Sequence, residues 1–349
     1  MGKYTAIDDP SANLQCELYT GNSSTNAITF SGNSDMKPDL VWQKRRDAAY
    51  YHRLWDSNRG VTKYLASNDS IAEATFGYVS SFDTDGITFG SSDQSVNVNG
   101  GSYVLWNWKA NGGTTSSNTD GSKTATVQAN QDAGFSIVTY AGSGSASTVG
   151  HGLADTPDVI IFKNRSAANV WATYHQGLGN NLKLELNGTG AQDADGSFMN
   201  GTLPTSSVFT VGASVNTNGS GSNYVAYCFA EKQGYSKFGK YIGNGSSDGP
   251  FVYTGFKPAF VMIKRADTTG GWTIYDTKRG YNGNNYELFP HSSEAEYTGT
   301  SFFEADILSN GFKLRLTDGQ INASNGTYIY MAFAENPFVT STGIMGTAR

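Results

Sequence analysis

Short apolar runs alternate along the chain with stretches rich in Gly, Asn, Ser, Thr and Asp. The clearest runs are YVLWNWKA (Tyr103–Ala110), YVAYCFAE (Tyr224–Glu231) and YIYMAFAE (Tyr328–Glu335). In a strand, alternate side chains share a face. One face therefore carries Val104, Trp106 and Trp108, and its counterparts carry Val225, Tyr227 and Phe229, then Ile329, Met331 and Phe333. These large sets are expected to fill the core of each module. The opposite faces (Tyr103, Leu105, Asn107; Tyr224, Ala226, Cys228; Tyr328, Tyr330, Ala332) are mixed and are expected to be half covered. Further short strands are expected at GITFG (Gly86–Gly90), SVFTVG (Ser207–Gly212) and GFKLRL (Gly311–Leu316).

The closing runs belong to a longer repeat. PDLVWQKRR (Pro38–Arg46) returns as PDVIIFKNR (Pro157–Arg165) and PAFVMIKRA (Pro258–Ala266), with Lys44, Lys163 and Lys264 at the same offset from Pro. These segments are apolar on nearly every residue, which suits strands buried on both faces. A Tyr-x-Gly turn precedes each one, at Tyr19, Tyr140 and Tyr241. An aromatic turn follows each one: WDSNRG (Trp55–Gly60), YHQGLG (Tyr174–Gly179) and YDTKRG (Tyr275–Gly280). Four landmarks in one order, three times, define a triplicated module. The expected fold is all-β, three tandem antiparallel β-sandwich-like modules of roughly 100 residues each. The expected boundaries are an N-terminal arm at 1–18, module one at 19–110, and a flexible Gly/Ser/Thr-rich connection at 111–134. Module two then spans 135–232, module three 233–338, and a C-terminal tail 339–349.

Composition narrows the class. The 42 glycines in 349 residues and the 15% charged residues argue against long helices, and 13% aromatics argue against disorder. No apolar run approaches the ~20 residues of a membrane-spanning helix, so membrane insertion is not expected. The opening MGKYTAIDDP shows no secretory signal pattern. A net charge of −6 disfavours nucleic acid, whose binders neutralise phosphates with a basic surplus. Cys16 and Cys228 lack the spacing of a metal knuckle or redox pair and read as small apolar side chains.

Three chemical readings remain. The acid pairs of DTDG (Asp83, Asp85) and DADG (Asp193, Asp195) are weak Ca²⁺ candidates, because Asp-x-Asp-Gly is also ordinary turn chemistry. No hydrolase, metalloprotease or phosphate-loop signature is present, and His52, His151, His175 and His291 fall at different places in the modules; neither enzyme activity nor a cofactor is expected. The basic-aromatic stretch KRRDAAYYHRLWDSNRG (Lys44–Gly60) is the candidate contact surface, through Lys44, Arg45, Arg46, Arg53, Trp55 and Arg59. Its expected partner is an acidic surface.

The strings YTAIDDPSANLQCELYTGN, WDSNRGVTKYL, NWKANGGTTSSNTDGS, ANQDAGFSIVTY, YCFAEKQGYSKFGKYIGNG, GPFVYTGFKPAFVMIK and YIYMAFAENPF resemble a family of uncharacterised repeat proteins encoded mostly by marine tailed bacteriophages. The resemblance runs from about Tyr4 to Phe338. It implies a β-rich virion structural protein on the particle exterior, and it carries over no binding or catalytic residue. With no coiled-coil heptads or long β-helical repeat in the chain, a capsid decoration or cement protein is expected, its arm docking on another virion protein such as the major capsid protein. The alternatives are a tail-associated fibre-like adhesin touching host glycans or proteins, and a secreted carbohydrate-binding module. A homo-oligomer is compatible with either.

Overall fold

The computed structural model describes residues 4–282, 286–298 and 305–345. The fold is all-β, with 42% of residues in strands and, among the described residues, one short 3-10 turn, Pro10–Ala12. Each module builds its main sheet in one order. An opening strand (Leu14–Thr20, Phe135–Ala141, Ser236–Ile242) pairs with the closing strand (Ser102–Trp108, Asn223–Phe229, Thr327–Pro337). The closing strand pairs with an inner strand (Leu40–Arg45, Val159–Asn164, Phe256–Arg265), and that with an outer strand (Arg53–Asp56, Ala172–His175, Trp272–Asp276). All pairings are antiparallel. A smaller sheet covers each main sheet: Asn26–Thr29, Gly86–Phe89 and Val79–Asp83 in module one, Ser147–Gly150 and Val208–Val211 in module two, Phe251–Tyr253, Gly311–Leu314 and Ala305–Leu308 in module three.

The two faces of the closing strands divide differently from the sequence expectation. The mixed faces are fully buried and form the cores inside the sandwiches. In module one, Tyr103 and Leu105 pack with Tyr19, Val41 and Trp55 against Ile87 and Phe89 of the small sheet. In module two, Tyr224, Ala226 and Cys228 pack likewise with Val138, Tyr140 and Phe209. The large apolar faces instead leave their own modules and meet in a common centre, where Trp106, Trp108, Tyr227, Phe229, Met331 and Phe333 join one cluster. At its middle, the last aromatic residues of the three closing strands touch one another. Ring centroids are 6.3 Å apart for Trp108–Phe229, 5.8 Å for Trp108–Phe333 and 5.8 Å for Phe229–Phe333, all edge-to-face. Both faces of each main sheet are therefore covered, which is why the inner strands read as unbroken apolar runs.

The Tyr-x-Gly landmark has a local cause. Tyr19, Tyr140 and Tyr241 stack on Tyr103, Tyr224 and Tyr328 at 4.8, 5.4 and 5.0 Å. Their hydroxyls donate to the carbonyls of Val96, Thr217 and Ile321. A Cβ at Gly21, Gly142 or Gly243 would stand 2.1–2.3 Å from a carbonyl oxygen of the opposing loop, so the turn closes only with glycine. Asn97, Asn218 and Asn322, wholly buried, tie that loop by donating from Nδ2 to two carbonyls each.

Two segment boundaries move. The stretch expected to be an arm is built into module one: Leu14–Thr20 is the opening strand, with Ile7, Leu14 and Cys16 in the central cluster. The tyrosine landmark marks the end of that strand rather than its start. Part of the expected flexible connection is also ordered, because Ser116–Asn118 and Ala125–Asn130 extend the main sheet of module two, with Ala125 and Val127 in its core. Those runs are too short for their alternation to stand out among Thr and Ser. Residues 1–3 of the arm and 346–349 of the tail lie outside the described residues.

Because the central cluster draws on all three modules, unfolding is expected to be one cooperative transition. Trp108→Ala or Phe333→Ala should cost about 3–5 kcal/mol and lower that single transition rather than split it, as calorimetry on each variant can check.

Candidate functional site

The Lys44–Gly60 stretch runs from the end of an inner strand, through a loop, into an outer strand and its turn. Strand alternation therefore sends its basic groups to different places, and equivalent positions in modules two and three show which of them the repeat itself uses.

Lys44 is fully buried, as are Lys163 and Lys264. Each ammonium is held by backbone carbonyls. Lys44 donates to Arg45 O at 2.6 Å and Ala48 O at 3.4 Å. Lys163 donates to Ser70 O of module one and to Asn169 O, and Lys264 to Gly190 O of module two and Arg265 O. Burial pushes Lys44 down to about 7, with Arg45 adding to the effect, and pushes Lys163 and Lys264 down to about 8. Lys163 and Lys264 thus reach across a module junction, while Lys44 is held within module one.

Arg59 is buried beside Asp56, with Nε to Oδ2 at 2.5 Å. The pair reaches module two, because Tyr227 donates its hydroxyl to Asp56 Oδ2 at 2.7 Å. Glu73 then links Arg59 at 3.1 Å to Arg165 of module two at 2.8 Å. The same arrangement joins module three to module one. Asp276 pairs with Arg279 at 2.5 Å and accepts from Trp106 Nε1 at 2.8 Å, while Glu296 bridges Arg279 and Arg46. At the third junction, between modules two and three, the equivalent set is His175, Leu178, Gln192 and Ala266. There the facing residue is Met331, which offers no donor. His175 accepts at Nδ1 from the Gly177 N–H and donates from Nε2 to Tyr330 O at 3.0 Å. Burial lowers its pKa to about 4, so it is neutral. Gln192 keeps only the backbone bond, its N–H to Ala266 O at 2.8 Å, matching Glu73 to Arg165 O and Glu296 to Arg46 O.

A ring N–H completes each junction. His52, Trp171 and Trp272 occupy one position and donate to the carbonyls of Phe289, Ala66 and Glu185 of the neighbouring module at 3.1, 2.8 and 2.9 Å. The donors run from module one to three, three to two, and two to one. The chain is a closed ring with a pseudo-threefold axis through Trp108, Phe229 and Phe333.

Of the six candidate contact residues, Lys44, Trp55 and Arg59 are buried and Arg46 is spent on Glu296. Arg45 pairs with Asp47 at 2.7 Å and lies over Tyr103, as Arg265 pairs with Asp267 and lies over Tyr328. Arg53 alone has no counterpart, since Ala172 and Thr273 stand at its position. Its guanidinium lies 4.8 Å from the Tyr64 ring, 5.5 Å from Tyr51 and 5.7 Å from Tyr78. Sequence alone did not point to Glu73 and Glu296, whose partners are remote in the chain, nor to the Tyr64 and Tyr78 rings beside Arg53.

The acidic turns are tied up locally. Asp83 accepts from Ser81 and Thr88 hydroxyls, Asp85 from Met36 N–H, and Asp195 from Ser197, while Asp193 pairs with Lys183 at 3.0 Å. Among the described residues no group of three or more His, Cys, Asp or Glu is placed to hold a metal ion.

The sequence profile of DUF7483, a domain of unknown function, matches residues 9–337. The chain belongs to the DUF7483 family. The match begins at the 3-10 turn beside the first opening strand and ends in the last closing strand, so the unit that defines the DUF7483 family is the whole ring and not one module. No curated protein matches the chain.

Two outcomes test the junctions. Asp56→Ala leaves Arg59 buried without its nearest counter-charge and should cost about 3–5 kcal/mol in urea unfolding. Replacing the whole set by that of the third junction (D56H, R59L, E73Q, R165A, Y227M) should cost less than the single change. The lysines set a pH dependence. Their folded-state pKa values lie below the ordinary 10.5, so the unfolded chain binds more protons and stability should rise with pH from about 7 toward 10.5. Lys163→Met should flatten that rise in thermal melts taken across the range.

Proposed function

We propose that the chain is a structural protein on the exterior of a tailed-bacteriophage particle, a decoration protein seated where three capsid subunits meet. The observation that carries this reading is the closed pseudo-threefold ring. One copy presents three near-equivalent edges about an axis, which matches a threefold lattice position without requiring three separate chains. The resemblance along nearly the whole sequence supports the viral origin, and the acidic net charge of −6 suits a basic rim on the capsid protein. A ring N–H donor and a backbone bond recur at all three junctions, as expected of a protein whose shape is what its partner recognises.

Cryo-electron microscopy of particles carrying the protein tests this. The expected result is density of a 37.3 kDa ring over threefold or quasi-threefold positions of the capsid shell. Density at the tail tip would sink the reading.

A further inference from the structure

The three modules serve as controls for one another: a feature present in one and dispensable in the other two is not required by the fold. By that measure the outer face of module one stands apart. Tyr51, Arg53 and Tyr64 have Val170, Ala172 and Lys183 at their positions in module two, and Gly271, Thr273 and Glu287 in module three.

The side chains form a shallow platform. Tyr78 is buried and makes the floor, with Tyr64 edge-on to it at 5.2 Å and Phe76 against it at 4.4 Å. Phe76 and Tyr51 rise at the margins, 49% and 41% exposed. Arg53 lies over the Tyr51, Tyr64 and Tyr78 rings. Every other described arginine pairs with a carboxylate, whereas Arg53 has none; its Nε and Nη1 are buried without a hydrogen-bond partner, which leaves Nη2 as the nitrogen a ligand can reach. Ring faces offset a guanidinium charge less than a carboxylate partner does. A positive charge without a counter-charge, walled by exposed aromatic rings, is an arrangement that costs stability unless a ligand uses it.

We infer that this platform binds a glycan containing an acidic sugar, with a pyranose ring stacked on Phe76 and Tyr51 and its carboxylate facing Arg53. The C–H face of a pyranose packs on an aromatic ring much as an apolar side chain does, and a carboxylate forms a charge-assisted hydrogen bond with the remaining guanidinium N–H. A polar group for sugar hydroxyls stands at the rim, where Lys63 Nζ donates to Thr75 Oγ1 at 2.7 Å. The inference rests on the ring's own repeats and does not depend on where the protein sits on a particle.

Calorimetric titration of the full chain with penta-galacturonate, against cellopentaose as the neutral comparison, tests it. The expected result is binding of the galacturonate in preference to the neutral chain. That binding should weaken at least about tenfold in Phe76→Ala, Tyr51→Ala and Arg53→Gln, and hold in Phe251→Ala/Tyr253→Ala, a pair of equally exposed aromatics on module three. Phe76 and Tyr51 are exposed, so their truncation should leave the thermal transition in place and the comparison valid. No heat with penta-galacturonate, or equal affinity in wild type and Phe76→Ala, would overturn the inference.

Discussion

Everything in this molecule is arranged around the contact of three rings, Trp108, Phe229 and Phe333, on a common axis. Each ends the closing strand of its own module, and each touches the other two. For those residues to meet, the three main sheets must turn their largest apolar faces inward together. The smaller sheets then take over the task of covering the outer faces. A chain of three independent sandwiches would bury one face per sheet; this one buries two, and the second burial depends on all three modules being present.

The junctions show how much chemistry such an arrangement tolerates. Two are closed by a buried carboxylate–guanidinium pair whose carboxylate accepts from a donor side chain, Tyr227 or Trp106. The third faces Met331, and there the charged set has gone as a group: His175 is neutral, Leu178 is apolar, and Gln192 and Ala266 keep only the backbone link. The exchange is concerted because any one charge left behind would be buried without its partner. Backbone geometry carries the symmetry, then, while side chains are free to vary in matched sets. The carbonyl cages of Lys44, Lys163 and Lys264 are the exception, retained three times because their acceptors are main-chain atoms that do not change with sequence.

Much of this was legible before any coordinates. The Tyr, Pro, Lys and closing-strand landmarks gave the triplication, and their alternation gave strands at the right places. The direction in which the faces point was not legible. Alternation says that Trp106 and Leu105 oppose each other, but not which of two apolar faces looks toward a neighbour. Nor could the sequence separate Arg46 and Arg59, thirteen positions apart in one basic cluster, into two different junctions; their partners, Glu296 and Glu73, announce themselves only in three dimensions. Arg53 looked like its neighbours for the same reason, and its isolation emerged once each of the others had found a carboxylate.

The arrangement around Arg53 also has a numerical consequence. A ring assembled from three identical subunits would repeat every surface feature three times, and a weak site would gain from simultaneous engagement of its copies. Joining the modules in one chain lets a feature exist once per ring. Any ligand held at Arg53 is met with a valency of one, and avidity must come from many rings fixed side by side, with a spacing set by whatever carries them.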